Sequence, residues 1–263
     1  MLGYIAAALI GISLGLIGGG GSILTMPVLV YLFHVPPVLA TSYSLFIVGF
    51  TSLVGTIINQ RKGQVSIKTA IVFGIPSVIT VITIRKFLIP VIPEHIATVG
   101  GLAITAPLLT MVLFAILMMA AATAMIHKKI PQSIPANESE KNKTVKLLLY
   151  GVGIGMVTGL LGAGGGFLLI PVLVLLLHHP MKTAIGTSLM IIAINSLLGF
   201  AGDLGNFEMD WTLLLVVSAI AATGMFAGVL LSQKIEGEKL KKAFGWFVLI
   251  MGVFIIAKEL FFK

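Results

Sequence analysis

Residues 11–55 recur without a gap 144 positions further along the chain. In that register Gly11 falls on Gly155, Gly15 on Gly159, Gly18 on Gly162, Gly20 on Gly164 and Gly21 on Gly165. The same shift places Pro27 on Pro171, His34 on His178, Pro36 on Pro180, Ala40 on Ala184, Ser44 on Ser188, Ser52 on Ser196 and Gly55 on Gly199; 21 of the 45 positions are identical. Apolar composition alone would align leucines and valines, but not matched glycines, prolines, serines and a histidine. The chain is an internal duplication, and any fold it adopts has to be built twice.

Lipid is the solvent for both copies. Charged residues make up 10% of the 263, against 58% hydrophobic, and the mean hydropathy is +1.13. A soluble domain carries about a quarter charged residues, and so few charges cannot cover a surface facing water. The apolar stretches run over residues 2–33, 37–58, 69–92, 96–126, 146–178, 183–202, 211–233 and 240–262. Residues 127–145 form the one long hydrophilic segment, which divides a first transmembrane repeat (1–126) from a second (146–263). The net charge of +8 does not indicate nucleic acid, because the basic residues are scattered between apolar stretches. With no cysteine, disulfides, thiolate metal sites and cysteine nucleophiles are excluded. The N-terminal run has no basic n-region and ends in glycines, so it reads as mature structure and not as a cleaved signal.

Each repeat opens on a run too long for one ordinary span and broken by glycines: Gly18-Gly19-Gly20-Gly21 in the first half, Gly162-Ala163-Gly164-Gly165-Gly166 in the second. Four consecutive glycines disfavour continuous helix by roughly 1 kcal/mol each, and the piece after the break is too short to cross a core of about 30 Å. Irregular backbone at membrane depth is tolerated only inside protein or beside a wet cavity. The expected fold is therefore all-α, a bundle of two repeats that each start with a re-entrant helical hairpin. A hairpin adds an even number of crossings and leaves each half with odd parity, so the halves are inverted. On that topology one face collects Arg61, Lys62, Lys68, Lys128, Lys129, Lys141, Lys143, Lys146, Lys182, Lys234, Lys239, Lys241 and Lys242, or 13 basic residues against 4 on the other (Arg85, Lys86, Lys258, Lys263). Reading each break as a single crossing gives 10 to 7. The positive-inside bias favours inversion, with the linker cytoplasmic and both termini outside.

A glycine turn leading into a helix leaves backbone N–H groups unpaired where the helix dipole is positive, which suits a small anion. Two such ends, at Ser22 and Gly166, would meet at the axis relating the halves. The candidate substrate-binding residues are Gly19, Gly20, Gly21, Ser22, Gly164, Gly165 and Gly166. Hydroxyls of the following spans would complete the site, namely Ser42 and Ser44, with Thr41 beside them, and Thr187 and Ser188; Ser52, Asn195 and Ser196 lie further along. The competing reading of the glycines is close helix packing. His34, His178 and Lys182 are candidates for a proton or anion relay, against ordinary interfacial histidines and a positive-inside lysine. No buried acidic pair suited to a cation pump lies in the spans, and Asp203 reads as a solvated helix end. No catalytic or metal-binding set and no cofactor motif is present: GGGGS is not followed by GK[ST], and neither GxSxG nor HExxH occurs.

The paired motifs GLIGGGGSILTMPVL (15–29) and GLLGAGGGFLLIPVL (159–173), followed by ATSYSL (40–45) and AIGTSL (184–189), resemble the sulfite exporter TauE/SafE family of membrane transporters. The resemblance extends over nearly the whole chain. It implies a permease of the cytoplasmic membrane for a small sulfur-containing or organic anion such as sulfite or a sulfonate. One departure is Tyr43, where the second half has Thr187. The expected partners are that anion and the lipid bilayer, with a homodimer as an assembly the sequence leaves open. The alternatives are a cation or metal permease and a non-transporting membrane scaffold or intramembrane enzyme.

Overall fold

The structure is a computed structural model, and it describes residues 2–84, 87, 95–99, 102–127, 140–161, 166–204 and 209–261. In the first half α1 (Leu2–Ile17), a 3-10 turn (Gly19–Gly21) and α2 (Ser22–Leu32) precede α3 (Pro37–Arg61), α4 (Ile67–Thr83) and α5 (Ala106–His127). In the second, α6 (Glu140–Leu161), α7 (Gly166–Pro171) and a π-helical segment (Val172–Leu176) precede α8 (Met181–Asp203), α9 (Trp211–Lys234) and α10 (Gly237–Phe261). Among the described residues four stretches are long and apolar enough to cross a membrane: Leu39–Arg61, Met181–Asp203, Trp211–Lys234 and Gly237–Ala257. Their exposed faces carry large aliphatic and aromatic side chains, as do those of their neighbours. On α4, Ile71, Ile75, Ile79 and Ile82 form one such stripe, the pattern of a helix bathed in lipid.

Two boundaries differ from the sequence reading. The stretch 96–126 is not one span: β1 (His95–Val99) pairs antiparallel with β2 (Leu102–Thr105) before α5 begins. Gly100-Gly101 between two β-branched runs is the hairpin signal in that sequence. The helix of the second half also starts inside the hydrophilic segment, at Glu140, because Glu and Lys are good helix formers whatever their hydropathy.

The helices pair across the halves. α1 packs on α9, α4 on α6, α3 on α8 and α5 on α10. Under the 144-residue shift α1 corresponds to α6, α3 to α8 and α4 to α9, and α5 and α10 are each the last helix of their half, so exchanging the halves maps this set of pairs onto itself. Small residues set the closest approaches. A Cβ added to Gly11 would stand 1.9 Å from the Ala221 carbonyl oxygen, and one added to Gly155 would stand 2.7 Å from that of Ser77. Gly155 and Ser77 are the repeat equivalents of Gly11 and Ala221. Gly224 approaches Ala8 and Gly228 approaches Ile12, so α1 and α9 run parallel in small-xxx-small contact. α3 and α8 run antiparallel, with Gly49 against Leu197, Gly199 against Leu45 and Gly55 against Leu189. α5 and α10 are antiparallel as well, Gly245 meeting Ile126 and Gly252 meeting Met119.

The caps repeat too. His34 and His178 both take φ 56, each one residue past the end of its short helix. The N–H of Val35 donates to the Leu29 oxygen (3.0 Å) and that of His179 to the Leu173 oxygen (2.9 Å), each closing the helix end across six residues around the left-handed histidine. Ser66 caps α4 and Asp210 caps α9, each accepting from the backbone N–H three residues on.

Gly11→Ala and Gly155→Ala push a methyl group into a carbonyl and should each cost about 1–3 kcal/mol. Gly153→Ala, with nothing within 4 Å, should be neutral. Thermal unfolding in detergent measures both, and equal melting temperatures would refute the packing role.

Candidate functional site

The first break starts at Gly18. Its N–H still bonds to the Leu14 oxygen at 2.7 Å, but its φ of 72° and ψ of −130° end the helix in a region that residues with a Cβ avoid. Space forbids a side chain as well: a Cβ here would meet Ile170 Cδ1 at 2.8 Å and Ser188 Oγ at 3.0 Å. The 3-10 turn follows, and Ser22 Oγ donates to the Gly19 oxygen at 2.7 Å. The first amides of such a turn have no acceptor within it. α2 then returns along α1, with Gly21 beside Leu14 and Ile10 and the Phe33 ring lying on Gly3 and edge-on to Tyr4.

The two breaks touch. A Cβ on Gly19 would stand 2.0 Å from the Gly166 oxygen, and one on Gly166 would stand 3.1 Å from Gly19 Cα. Both lie against α8, Gly18 beside Ile185 and Ser188, Gly166 beside Ile192. Ser188 is fully buried and donates to the Ile185 oxygen at 2.9 Å. Ser44 holds the equivalent position on α3 and is half-buried. Gly164 and Gly165 lie outside the described residues.

Other sequence candidates are engaged elsewhere. Ser42 donates to the Asp203 carboxylate, so this acid is bonded and half-buried where the sequence suggested a solvated one. Thr187 Oγ1 accepts from the Ser66 N–H at 3.0 Å. His34 and His178 are the helix stops described above. Lys182 Nζ donates to the Gln233 oxygen at 2.9 Å, placing its charge on the carbonyl end of α9, where the dipole favours it.

The spans carry further hydroxyls, some buried and some exposed, most of which reasoning from the sequence passed over. Thr56, Thr80, Thr83, Thr123, Thr223 and Ser232 each donate to a carbonyl three or four residues back in their own helix, the usual resolution in an apolar medium. Among the described residues, Thr25, Thr51 and Ser52 hydroxyls have no partner, although all three residues are at most 1% exposed. Asn195 Oδ1 is also without one, as are the hydroxyls of Ser13, Ser77 and Ser218. Thr51 and Asn195 are repeat equivalents, and the register of α3 on α8 sets them at one level of the crossing. Polar residues matched across the repeat in the middle of apolar spans were the available signal.

Charge is confined to the helix ends. Gln64 and Gln233 exchange amide hydrogen bonds at 3.1 and 2.9 Å, and Thr69 Oγ1 lies 3.2 Å from His179 Nε2. These bonds gather Arg61, Lys62, Lys68, Lys182 and Lys234 at one end, together with Lys241, which is buried and paired with Glu238 at 3.1 Å. At the other end Asp203 meets Ser42, and Tyr43 Oη accepts from the Asp210 N–H. Among the described residues no group of three or more His, Asp or Glu could hold a metal ion.

Burial holds the His179 imidazole below its ordinary value of 6.5. The unfolded chain therefore takes up a proton that the folded chain resists. Stability should be flat above about pH 7 and fall as the pH drops through 6.5. His179→Asn should flatten that slope in melting temperatures recorded between pH 5 and pH 8.

A family model described as "Sulfite exporter TauE/SafE" matches residues 3–255. A "Probable membrane transporter protein" of Xylella fastidiosa (strain 9a5c) is 29% identical over 259 residues, covering 95% of this chain and 92% of the relative. The "Probable membrane transporter protein YdhB" of Bacillus subtilis (strain 168) is 25% identical over 245 residues, covering 92% and 94%. No solved structure matches. The family match over nearly the whole chain, the naming of the relatives and the four long apolar helices agree: this is a multi-pass membrane transporter belonging to the sulfite exporter TauE/SafE family.

Proposed function

We propose that the chain is a secondary transporter of the cell membrane that carries a small anion, sulfite or a sulfonate, by alternating access between two inverted repeats. The observation that carries this reading is the contact of Gly19 with Gly166. It brings both broken segments to one buried place that holds no formal charge. Backbone amides of the glycine turns, with the unpartnered hydroxyls of Thr51 and Ser52, supply donors to an oxyanion without the cost of a lysine or arginine in lipid. Binding by neutral donors is also reversible, as a carrier requires. The antiparallel pairing of α3 with its equivalent α8, and of α5 with α10, supports inversion. The return of Phe33 to Gly3 supports a hairpin that enters and leaves on one side. The basic end would face the cytoplasm, leaving both termini outside. The family's description supports the choice of sulfite.

The test is flux of radiolabelled sulfite and of a short sulfonate in proteoliposomes. Thr51→Val and Ser52→Ala should each lower the flux about tenfold, the effect of losing one hydrogen bond of about 1.4 kcal/mol to a charged ligand. Each should leave the melting temperature unchanged or raise it, because it removes an unpaired buried hydroxyl. Flux equal to that of the wild type in both variants would sink the assignment of these hydroxyls. Cation flux indifferent to added sulfonate would sink the anion reading itself.

A further inference from the structure

Tyr43 and Thr187 occupy the same position of the two repeats and do the same thing across the halves. Tyr43 Oη accepts from the N–H of Asp210, the cap of α9. Thr187 Oγ1 accepts from the N–H of Ser66, the cap of α4. Ser66 and Asp210 are themselves repeat equivalents. Both acceptor side chains are buried, at 1% and 0% exposure. Because α3 and α8 are antiparallel and both residues lie in the first third of their helices, the two bonds sit at opposite ends of the molecule. We propose that Tyr43 and Thr187 are paired latches closing the two ends of the translocation path, released one at a time, and that this structure, with both bonds made, is the state closed at both ends. The proposal rests on the alternating-access reading given above.

The packing says which parts a latch joins. α1 and α9 approach backbone to backbone through Gly11, Gly15, Gly224 and Gly228, and α6 and α4 through Gly151 and Gly155. Contacts that close leave no room for sliding, so each pair moves as a unit. Between such a unit and the α3/α8 pair, a polar bond ties each end, from the Asp210 N–H to Tyr43 at one and from the Ser66 N–H to Thr187 at the other. When it opens toward water, donor and acceptor both gain water partners and the net cost is small. A carrier needs seals of that kind, firm when dry and cheap when wet.

The two latches differ in chemistry. The Tyr43 bond has the Ser42–Asp203 pair beside it, and α9 lies along α3 more extensively than α4 lies along α8. The Thr187 bond continues into a chain of neutral groups, Ser66 Oγ to Thr69 Oγ1 at 2.7 Å and on to His179 at 3.2 Å.

The absence of cysteine makes the test clean. Ala40 and Ala184 are repeat equivalents, one residue type, both fully buried one turn before their latch. Ala40→Cys and Ala184→Cys, introduced singly into the full chain in permeabilised proteoliposomes, report on the two ends through their labelling rates with a charged maleimide. Tyr43→Phe should raise labelling at position 40 about fivefold and lower it at 184. Thr187→Val should do the reverse, and Thr187→Ser, which keeps the acceptor, should restore the wild-type rates. Asp210→Pro removes the donor at a φ of −76° that proline accepts, and should reproduce the effect of Tyr43→Phe. A rise at both positions in one variant is general loosening and overturns the proposal, as does no change at either. Labelling needs no substrate, so a wild type that moves no anion would fail the transport reading while leaving the opposed shifts intact.

Discussion

In a bilayer the hydrophobic effect does not hold helices together, because lipid tails are as apolar as leucine. The structure depends instead on backbone meeting backbone through glycine. Ala221 packs where Gly11 leaves no side chain, Ser77 where Gly155 leaves none, and the oxygen of Gly166 where Gly19 leaves none. Such contacts gain dispersion over many atom pairs at short range and lose most of it when one methyl group intervenes. They also cross between the halves. Neither repeat is a domain in the ordinary sense, since the partner of α1 is α9 and the partner of α6 is α4.

Division of labour among the polar groups follows. Lipid leaves buried hydroxyls few choices, and most in this chain spend themselves on the carbonyl a turn earlier. Those at helix starts tie loops together, as Ser42 and Thr187 do. The hydroxyls of Thr51 and Ser52 do neither. A chain under selection for stability alone would have valine and alanine there, since an unpaired buried hydroxyl carries a cost.

Much of this was legible in the sequence. The duplication gave the equivalence of elements between the halves, the glycine runs gave the breaks, and the charge asymmetry named the end that Gln64, Gln233 and Lys182 later join. Three things were not legible. Periodicity does not say which partner a hydroxyl chooses, so Ser42 and Thr187 looked like site residues while Thr51 passed unremarked and Ser52 and Asn195 were noted only as lying further along the spans. Histidines matched across the repeat suggest proton chemistry, but φ 56 at His34 and His178 is a demand of the helix stop, which histidine tolerates better than a β-branched residue does. The apparent mismatch of Tyr43 with Thr187 was a match in function, visible only once both oxygens were seen to accept from the same kind of N–H.

Cross-half pairing also governs how the protein can be made. α1 leaves the ribosome about 190 residues before α9, the helix its glycine face requires; at 5–20 residues per second it waits on the order of ten seconds or more. During that interval Gly11 and Gly15 present a bare groove to the membrane, open to any small-residue helix nearby. The first half is in this respect a standing invitation to mispair, and the second half is the segment that ends it. Biogenesis of this fold is thus limited by the last helices to arrive, whatever the intrinsic speed of helix formation.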